Sequence, residues 1–258
     1  MPDSLGAEQA LPTIALVGNP NTGKSTLFNN LTGLRQKTAN YPGVTVERHT
    51  GIMTLGEQKV QLIDLPGSYS LAAHSPDELV SADVLLGRID DIGLPDAVMV
   101  VVDATNLRRN LFMATQILEL GLPVVIALTM NVLAQGRGII IDSTKLSEKL
   151  GAPVVPMALG EADSMARRKS TLREALGGQP ATRASLVPDI HKAAETLHSQ
   201  ADQSSQSVTV FDIERALIDL GGAAEQRLLE TGVIADPSVL KTTRESLAPG
   251  SSLAATEA

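Results

Sequence analysis

The chain has 258 residues, enough for one α/β domain and a smaller appendage at roughly 100–200 residues per domain. It carries no cysteine, which excludes disulfides, thiolate metal sites and cysteine nucleophiles; its formal charge of −8 argues against nucleic acid as a partner, because such binders show a basic patch or stripe. Aromatic residues are scarce, with Phe28, Phe112, Phe211, Tyr41 and Tyr69 and no Trp, so the core must come from Val, Ile, Leu, Ala and Met, as in a parallel sheet covered by helices.

In chain order, residues 1–12 lack a basic segment followed by an apolar stretch and do not read as a signal peptide. Thr13–Val17 is a short apolar run of strand type, and it leads into Gly18-Asn19-Pro20-Asn21-Thr22-Gly23-Lys24-Ser25, which fits G-x-x-x-x-G-K-[ST]. Helix-compatible residues Lys24–Leu31 follow, so the motif stands between a strand and a helix, where a phosphate-binding loop must stand. From Thr13 to about Val155, strand-length apolar runs alternate with helical stretches, the pattern of a mostly parallel α/β sheet. The remaining strands are expected at Val60–Asp64, Ala97–Val102, Val124–Leu128 and Val154–Pro156, with His49–Met53 as an additional edge strand pairing with Val60–Asp64. Helices are expected at Pro76–Leu86, Leu107–Leu120 and Ser143–Leu150, the last capped by Asp142 and stopped at Gly151-Ala152-Pro153. Two long segments, Arg35–Glu47 and Pro66–Pro76, read as functional loops in the order of the two switch segments of a GTPase.

Beyond Pro156 the alternation stops, and Gly177-Gly178-Gln179-Pro180 breaks the chain. The expected domains are residues 1–178 and 179–258. The second is read as a small all-α bundle with helices at Ile190–Leu197, Val210–Leu220, Ala223–Leu229 and Val239–Leu247, and Pro249–Ala258 as a frayed tail. The longest apolar runs fall far short of the roughly 20 residues that span a bilayer, so the chain is expected to be soluble.

The phosphate loop works through backbone N–H groups turned inward as an anion nest, helped by the N-terminal end of the following helix. Gly18 and Gly23 permit the required close approach; Lys24 is expected to reach the β- and γ-phosphates and the Ser25 hydroxyl to ligate Mg²⁺, with Thr26 closing the set. Downstream, Asp64-Leu65-Pro66-Gly67 ends a buried strand and suits an Asp holding Mg²⁺ through water and a Gly whose N–H meets the γ-phosphate. Thr45 is the natural switch threonine, giving its hydroxyl to Mg²⁺ and backbone groups to the attacking water. Ser68 and Tyr69, not glutamine, follow Gly67, so no general base is assigned.

Gly18 through Asn29, Tyr41-Pro42-Gly43-Val44-Thr45-Val46-Glu47, Asp64-Leu65-Pro66-Gly67-Ser68-Tyr69-Ser70-Leu71, Ser75-Pro76-Asp77-Glu78 and Val102 through Leu111 together resemble the cytosolic N-terminal part of the bacterial ferrous iron transport protein B family. The resemblance covers nearly all of the first domain. It implies a P-loop GTPase-type fold, then a helical spacer domain, then a polytopic membrane domain. It further implies GTP and GDP as ligands, Mg²⁺, and a K⁺ ion held by Asn21 that supplies positive charge at the β/γ-phosphate bridge in place of an arginine finger. The implied partners are a C-terminal membrane permease domain of the same polypeptide, a small cytosolic accessory protein and a second copy of the chain, without nucleic acid. The implied place is the cytoplasmic face of the bacterial inner membrane.

One departure from the family stands out. Its guanine-reading element has the form Asn-x-x-Asp, whose carboxylate accepts two hydrogen bonds from guanine that adenine cannot make. Aligned on Val124–Leu128, this chain reads Thr129-Met130-Asn131-Val132, and the following base-cradling loop reads Met157-Ala158-Leu159-Gly160 with only Ala158 retained. The expectation is weakened guanine selectivity, so that ATP and ADP are also accepted, with Asn131 as the residue that could substitute by a shift of the loop. Two other functional classes fit parts of the pattern: a soluble GTPase of ribosome assembly or tRNA modification, disfavoured by the acidic balance, and a nucleotide-poor interaction module acting through the helical half.

Overall fold

A computed structural model describes residues 11–33, 36–72, 75–157, 169, 172–174, 177, 187–200, 208–234 and 236–247. The first part of the chain runs β1 (Thr13–Gly18), α1 (Lys24–Thr32), β2 (Gln36–Asn40), β3 (Glu47–Leu55), β4 (Gln58–Asp64), α2 (Pro76–Leu85), β5 (Ala97–Asp103), α3 (Leu107–Leu118), β6 (Val124–Thr129), α4 (Asn131–Gly136), α5 (Ser143–Leu150) and β7 (Val154–Pro156). The strands form one seven-stranded sheet in the order β2-β3-β4-β1-β5-β6-β7. The pairs β4–β1, β1–β5, β5–β6 and β6–β7 are parallel, while β2–β3 and β3–β4 are antiparallel.

The central strands β1, β5 and β6 are buried along nearly their whole length, which is why they read as unbroken apolar runs without alternation. On one face, α1 packs Leu27, Phe28 and Leu31 against Met53, Val60, Leu62, Met99 and Val101. On the other, α2 and α3 contribute Val80, Val84, Met113 and Ile117 to a second layer with Val17, Ile63, Val100 and Ile126. Local signals set the helix ends. Ser75 accepts from the Glu78 N–H with Pro76 in the first turn of α2. Asp142 accepts from the Thr144 and Lys145 N–H groups at the start of α5, and Gly151, with φ 65°, ends it in the left-handed region.

The expected loop Arg35–Glu47 contains a strand. Residues Gln36–Asn40 pair antiparallel with β3, so the expected edge strand His49–Met53 is longer, Glu47–Leu55, and lies inside the sheet with β2 at its edge. All five residues of β2 are exposed, so no apolar alternation marks it in the sequence. What remains of the loop is closed at its neck by hydrogen bonds between Tyr41 and Val46 and between Val44 and Tyr41, at 3.0 and 3.3 Å.

The Tyr41 ring lies in the sheet's core, yet its hydroxyl is buried without a hydrogen-bond partner among the described residues. Burial pushes the phenol pKa well above its ordinary value, with the Asp64 carboxylate adding to the rise and Arg48 opposing it. A buried unpartnered hydroxyl costs stability, so Tyr41→Phe is expected to raise unfolding free energy by about 1 kcal/mol. Urea denaturation reads this as a higher midpoint at unchanged slope; a lower midpoint shows that the hydroxyl is satisfied.

Four helices of the second half, α6 (Pro188–Gln200), α7 (Val210–Ile218), α8 (Ala223–Glu230) and α9 (Pro237–Leu247), form a bundle with its own core of Ile190, Ala194, Ile213, Ala216, Leu217, Leu228 and Leu240. The expected boundary between residues 178 and 179 lies outside the described residues, as does the expected tail at 249–258. Helix α7 belongs to both halves: Ile213 and Leu217 face the bundle, while Phe211 enters the core beneath the sheet. Around it, Arg88 beyond the end of α2 is ion-paired with Asp212, and Arg227 of α8 bonds Asp83 of α2 at 2.8 Å. Asp212 also completes a capping box with Thr209 at the start of α7.

Candidate nucleotide-binding site

Strand β1 ends at Gly18, where a Cβ would stand 2.7 Å from the Val101 carbonyl oxygen, so only glycine lets the chain pass β5 this closely. The loop then turns through left-handed residues Asn21 (φ 65°) and Gly23 (φ 82°), and the Thr22 hydroxyl donates to the Asn19 carbonyl at 2.9 Å. Asn19 is buried, and its Nδ2 has no partner among the described residues. Helix α1 begins at Lys24, leaving its first N–H groups facing the loop. Ser25 and Thr26 are exposed at its start.

Asp64, at the end of β4, binds the Lys24 ammonium directly, with both side chains about nine-tenths buried. Gly67 is packed on the phosphate loop, since a Cβ there would lie 3.3 Å from Pro20, and the Ser68 N–H donates to the Gly18 carbonyl at 3.3 Å. The structure thus gathers Gly18 to Ser25, Asp64 and Gly67 into one place. Thr45 is exposed in the turn before β3, beside an open cavity of about 710 Å³ shared with Tyr41, Val46, Pro76 and Asp77. Among the described residues no hydrogen bond joins Thr45 to the phosphate loop.

Sequence reasoning missed the residues that hold the second loop down. The Leu71 N–H donates to the Gln116 side-chain oxygen at 2.7 Å, and the Arg109 guanidinium lies 4.1 Å from the centre of the Tyr69 ring. One signal was available: Gln116 is a polar residue on the buried face of α3, between Met113 and Ile117. The Ser68 hydroxyl also lies 3.3 Å from the Glu78 carboxylate, linking this loop to α2.

At the other end of the site, Thr129 is fully buried, and its hydroxyl lies 2.7 Å from the Thr22 carbonyl and 3.1 Å from the Val102 carbonyl. These contacts tie the phosphate loop to the sheet. Met130 adopts φ 56°, with its methyl group against Gly23. Asn131 donates its amide to the Leu128 carbonyl at 2.6 Å, Val132 is 74% exposed, and Met157 is buried. Ala158 and Leu159 lie outside the described residues. Among the described residues no three His, Asp or Glu side chains cluster to hold a metal alone. Asp64 and the Ser25 hydroxyl suit Mg²⁺, a hard cation that takes one or two protein oxygens together with water and substrate phosphates.

Comparison with known proteins agrees with this geometry. A family model described as ferrous iron transport protein B matches residues 12–171. The chain is 47% identical over 149 residues to the Fe(2+) transporter FeoB of Salmonella typhimurium, covering 56% of this chain, and 46% identical over the same length to that of Escherichia coli strain K12. It spans 19% of the length of these relatives. Among solved structures, the cytosolic domain of L. pneumophila FeoB matches with a TM-score of 0.71 at 33% identity, covering 91% of this chain and 93% of that one. The T. maritima FeoB cytosolic domain in a GDP form matches with a TM-score of 0.74 at 28% identity, covering 92% of each. An S. thermophilus NFeoB mutant bound to GDP matches at 0.72 and 31%, covering 92% of this chain and 91% of that one. With the family model matching more than half of the chain and solved cytosolic domains matching over nine-tenths of it, this chain belongs to the ferrous iron transport protein B family and has the P-loop GTPase fold of that family's cytosolic part.

Proposed function

We propose that this chain is the nucleoside-triphosphate-hydrolysing switch of a membrane ferrous-iron transporter, and that it reads the base weakly. The Lys24–Asp64 pair beside the Gly18–Ser25 loop carries the reading, because it sets a cation and a carboxylate where phosphates and Mg²⁺ must be held. The loop's N–H groups would bind the β- and γ-phosphates; Lys24 would exchange its carboxylate partner for phosphate oxygen; Ser25, Thr45 and Asp64 would hold Mg²⁺, which would neutralise charge on the phosphates. Gly67 presents its N–H to the γ-phosphate. Backbone groups near Thr45 orient the attacking water, since Ser68 and Tyr69, not glutamine, follow Gly67.

The GDP-bound relatives support guanine nucleotides as ligands. Val132 supports relaxed selectivity: losing a carboxylate that accepts two bonds removes roughly 2–4 kcal/mol of guanine affinity, which leaves ATP and ADP as competitors. Transport itself requires a membrane part, and among the described residues no helix is long and apolar enough to cross a bilayer. A membrane permease domain of the same polypeptide is the natural partner, with this chain on the cytoplasmic face of the membrane.

Asn21 would hold a K⁺ ion, which would supply positive charge where phosphoryl transfer develops negative charge, as an arginine finger does in other GTPases. Single-turnover phosphate release from GTP is expected to be at least about tenfold faster in K⁺ than in Na⁺, well below the 10³–10⁵ that an arginine finger contributes. Asn21→Ala is expected to abolish that difference. Equal rates in the two salts overturn the K⁺ role, and no release at saturating nucleotide favours an interaction module instead of an enzyme.

A further inference from the structure

At the ends of β6 and β7 lies a groove of about 500 Å³ lined by Met130, Asn131, Val132, Leu133, Arg137 and Met157, with backbone from Gly136. Among the described residues only Asn131 and Arg137 bring polar side chains to it. The Asn131 Nδ2 donates to the Leu128 carbonyl at 2.6 Å and approaches the Met157 carbonyl at 3.5 Å. Carbonyl oxygens only accept, so this contact assigns which side of the amide is nitrogen. The Oδ1 therefore faces away from the strand ends. It bonds to nothing among the described residues and is not one of the buried unpartnered atoms, so it is open to solvent. Of the other two polar positions a guanine-reading element would use, Thr129 has turned its hydroxyl to the phosphate loop and Val132 has no acceptor.

We infer that Asn131 is the base-reading residue of this protein, and that its fixed amide oxygen accepts one hydrogen bond from any purine carrying an N–H on its Watson–Crick edge. The inference rests on the nucleotide-binding reading above and specifies its ligand class. Guanine offers N1–H and its 2-amino group; adenine offers its 6-amino group. A carboxylate accepting two bonds at once tells these apart, whereas a single neutral acceptor is satisfied by either. The anchoring of Nδ2 matters, because a freely turning amide could offer its NH₂ to the guanine 6-oxygen and recover a preference.

The test is titration of the whole chain with three diphosphates: GDP, ADP and purine riboside 5′-diphosphate, whose base has no N–H donor on that edge. The unmodified chain is expected to bind GDP and ADP within about tenfold of each other, and purine riboside diphosphate roughly three- to tenfold more weakly, the value of one neutral hydrogen bond. Asn131→Ala is expected to weaken GDP and ADP by that same factor and leave purine riboside diphosphate unchanged. The third ligand separates reading from mere support of the loop, since a structural role weakens all three alike and overturns the inference. Arg137→Ala weakening GDP alone also overturns it, because a guanidinium donating to the guanine 6-oxygen and N7 would then be the reader. If none of the three binds, the nucleotide reading itself fails and takes the inference with it.

Discussion

Val132→Asp is expected to raise the preference for GDP over ADP by at least about 30-fold, the equivalent of about 2 kcal/mol. The new carboxylate would accept two hydrogen bonds from guanine, each charge-assisted, and would meet only acceptors and one amino group on adenine. Val132 is 74% exposed, so the substitution buries no charge and the fold should tolerate it within about 0.5 kcal/mol. Calorimetric titration with the two diphosphates measures the ratio, and thermal unfolding checks the fold. An unchanged ratio would mean that the base does not lie over this position, which would remove the ground for relaxed selectivity.

Lys24→Met is expected to reduce hydrolysis by on the order of 10³ and to lower stability by about 3 kcal/mol, from separate causes. The catalytic loss follows from removing the cation that neutralises phosphate oxygens. The stability loss follows from leaving the Asp64 carboxylate, whose side chain is 10% exposed, without its partner. Adding Asp64→Asn should restore most of the stability, because two buried ions become two neutral groups, while hydrolysis stays lost. Urea denaturation of the single and double variants, paired with single-turnover phosphate release, separates the effects. Equal stability of the two variants would show that the pair is not a buried ionic contact in solution.

The phosphate loop was legible because backbone geometry requires glycine at fixed spacing: Gly18 passes the Val101 carbonyl and Gly23 takes φ 82°, so residue type and position are dictated together. The central strands were legible for a different reason, burial on both faces, which admits only apolar residues. Strand β2 was not, since every one of its side chains is exposed and its pairing rests on backbone groups alone. Helix α7 was found as a helix, but its place between the halves was not, because the Arg88–Asp212 pair joins residues 124 positions apart and no local spacing encodes it. Thr129 shows the same limit at the site. A β-branched residue closing a strand reads as strand, and its partner is a carbonyl 107 residues upstream.

That Thr129 hydroxyl has one proton and two carbonyl oxygens within reach, one in the phosphate loop and one in β5, so it helps to tie the loop to the sheet. On the proposed reading, the site is tied to the sheet at its phosphate end and permissive at its base end. On the same reading, a ligand is located from its terminal phosphate inward, and the protein acts as a gauge of phosphate number.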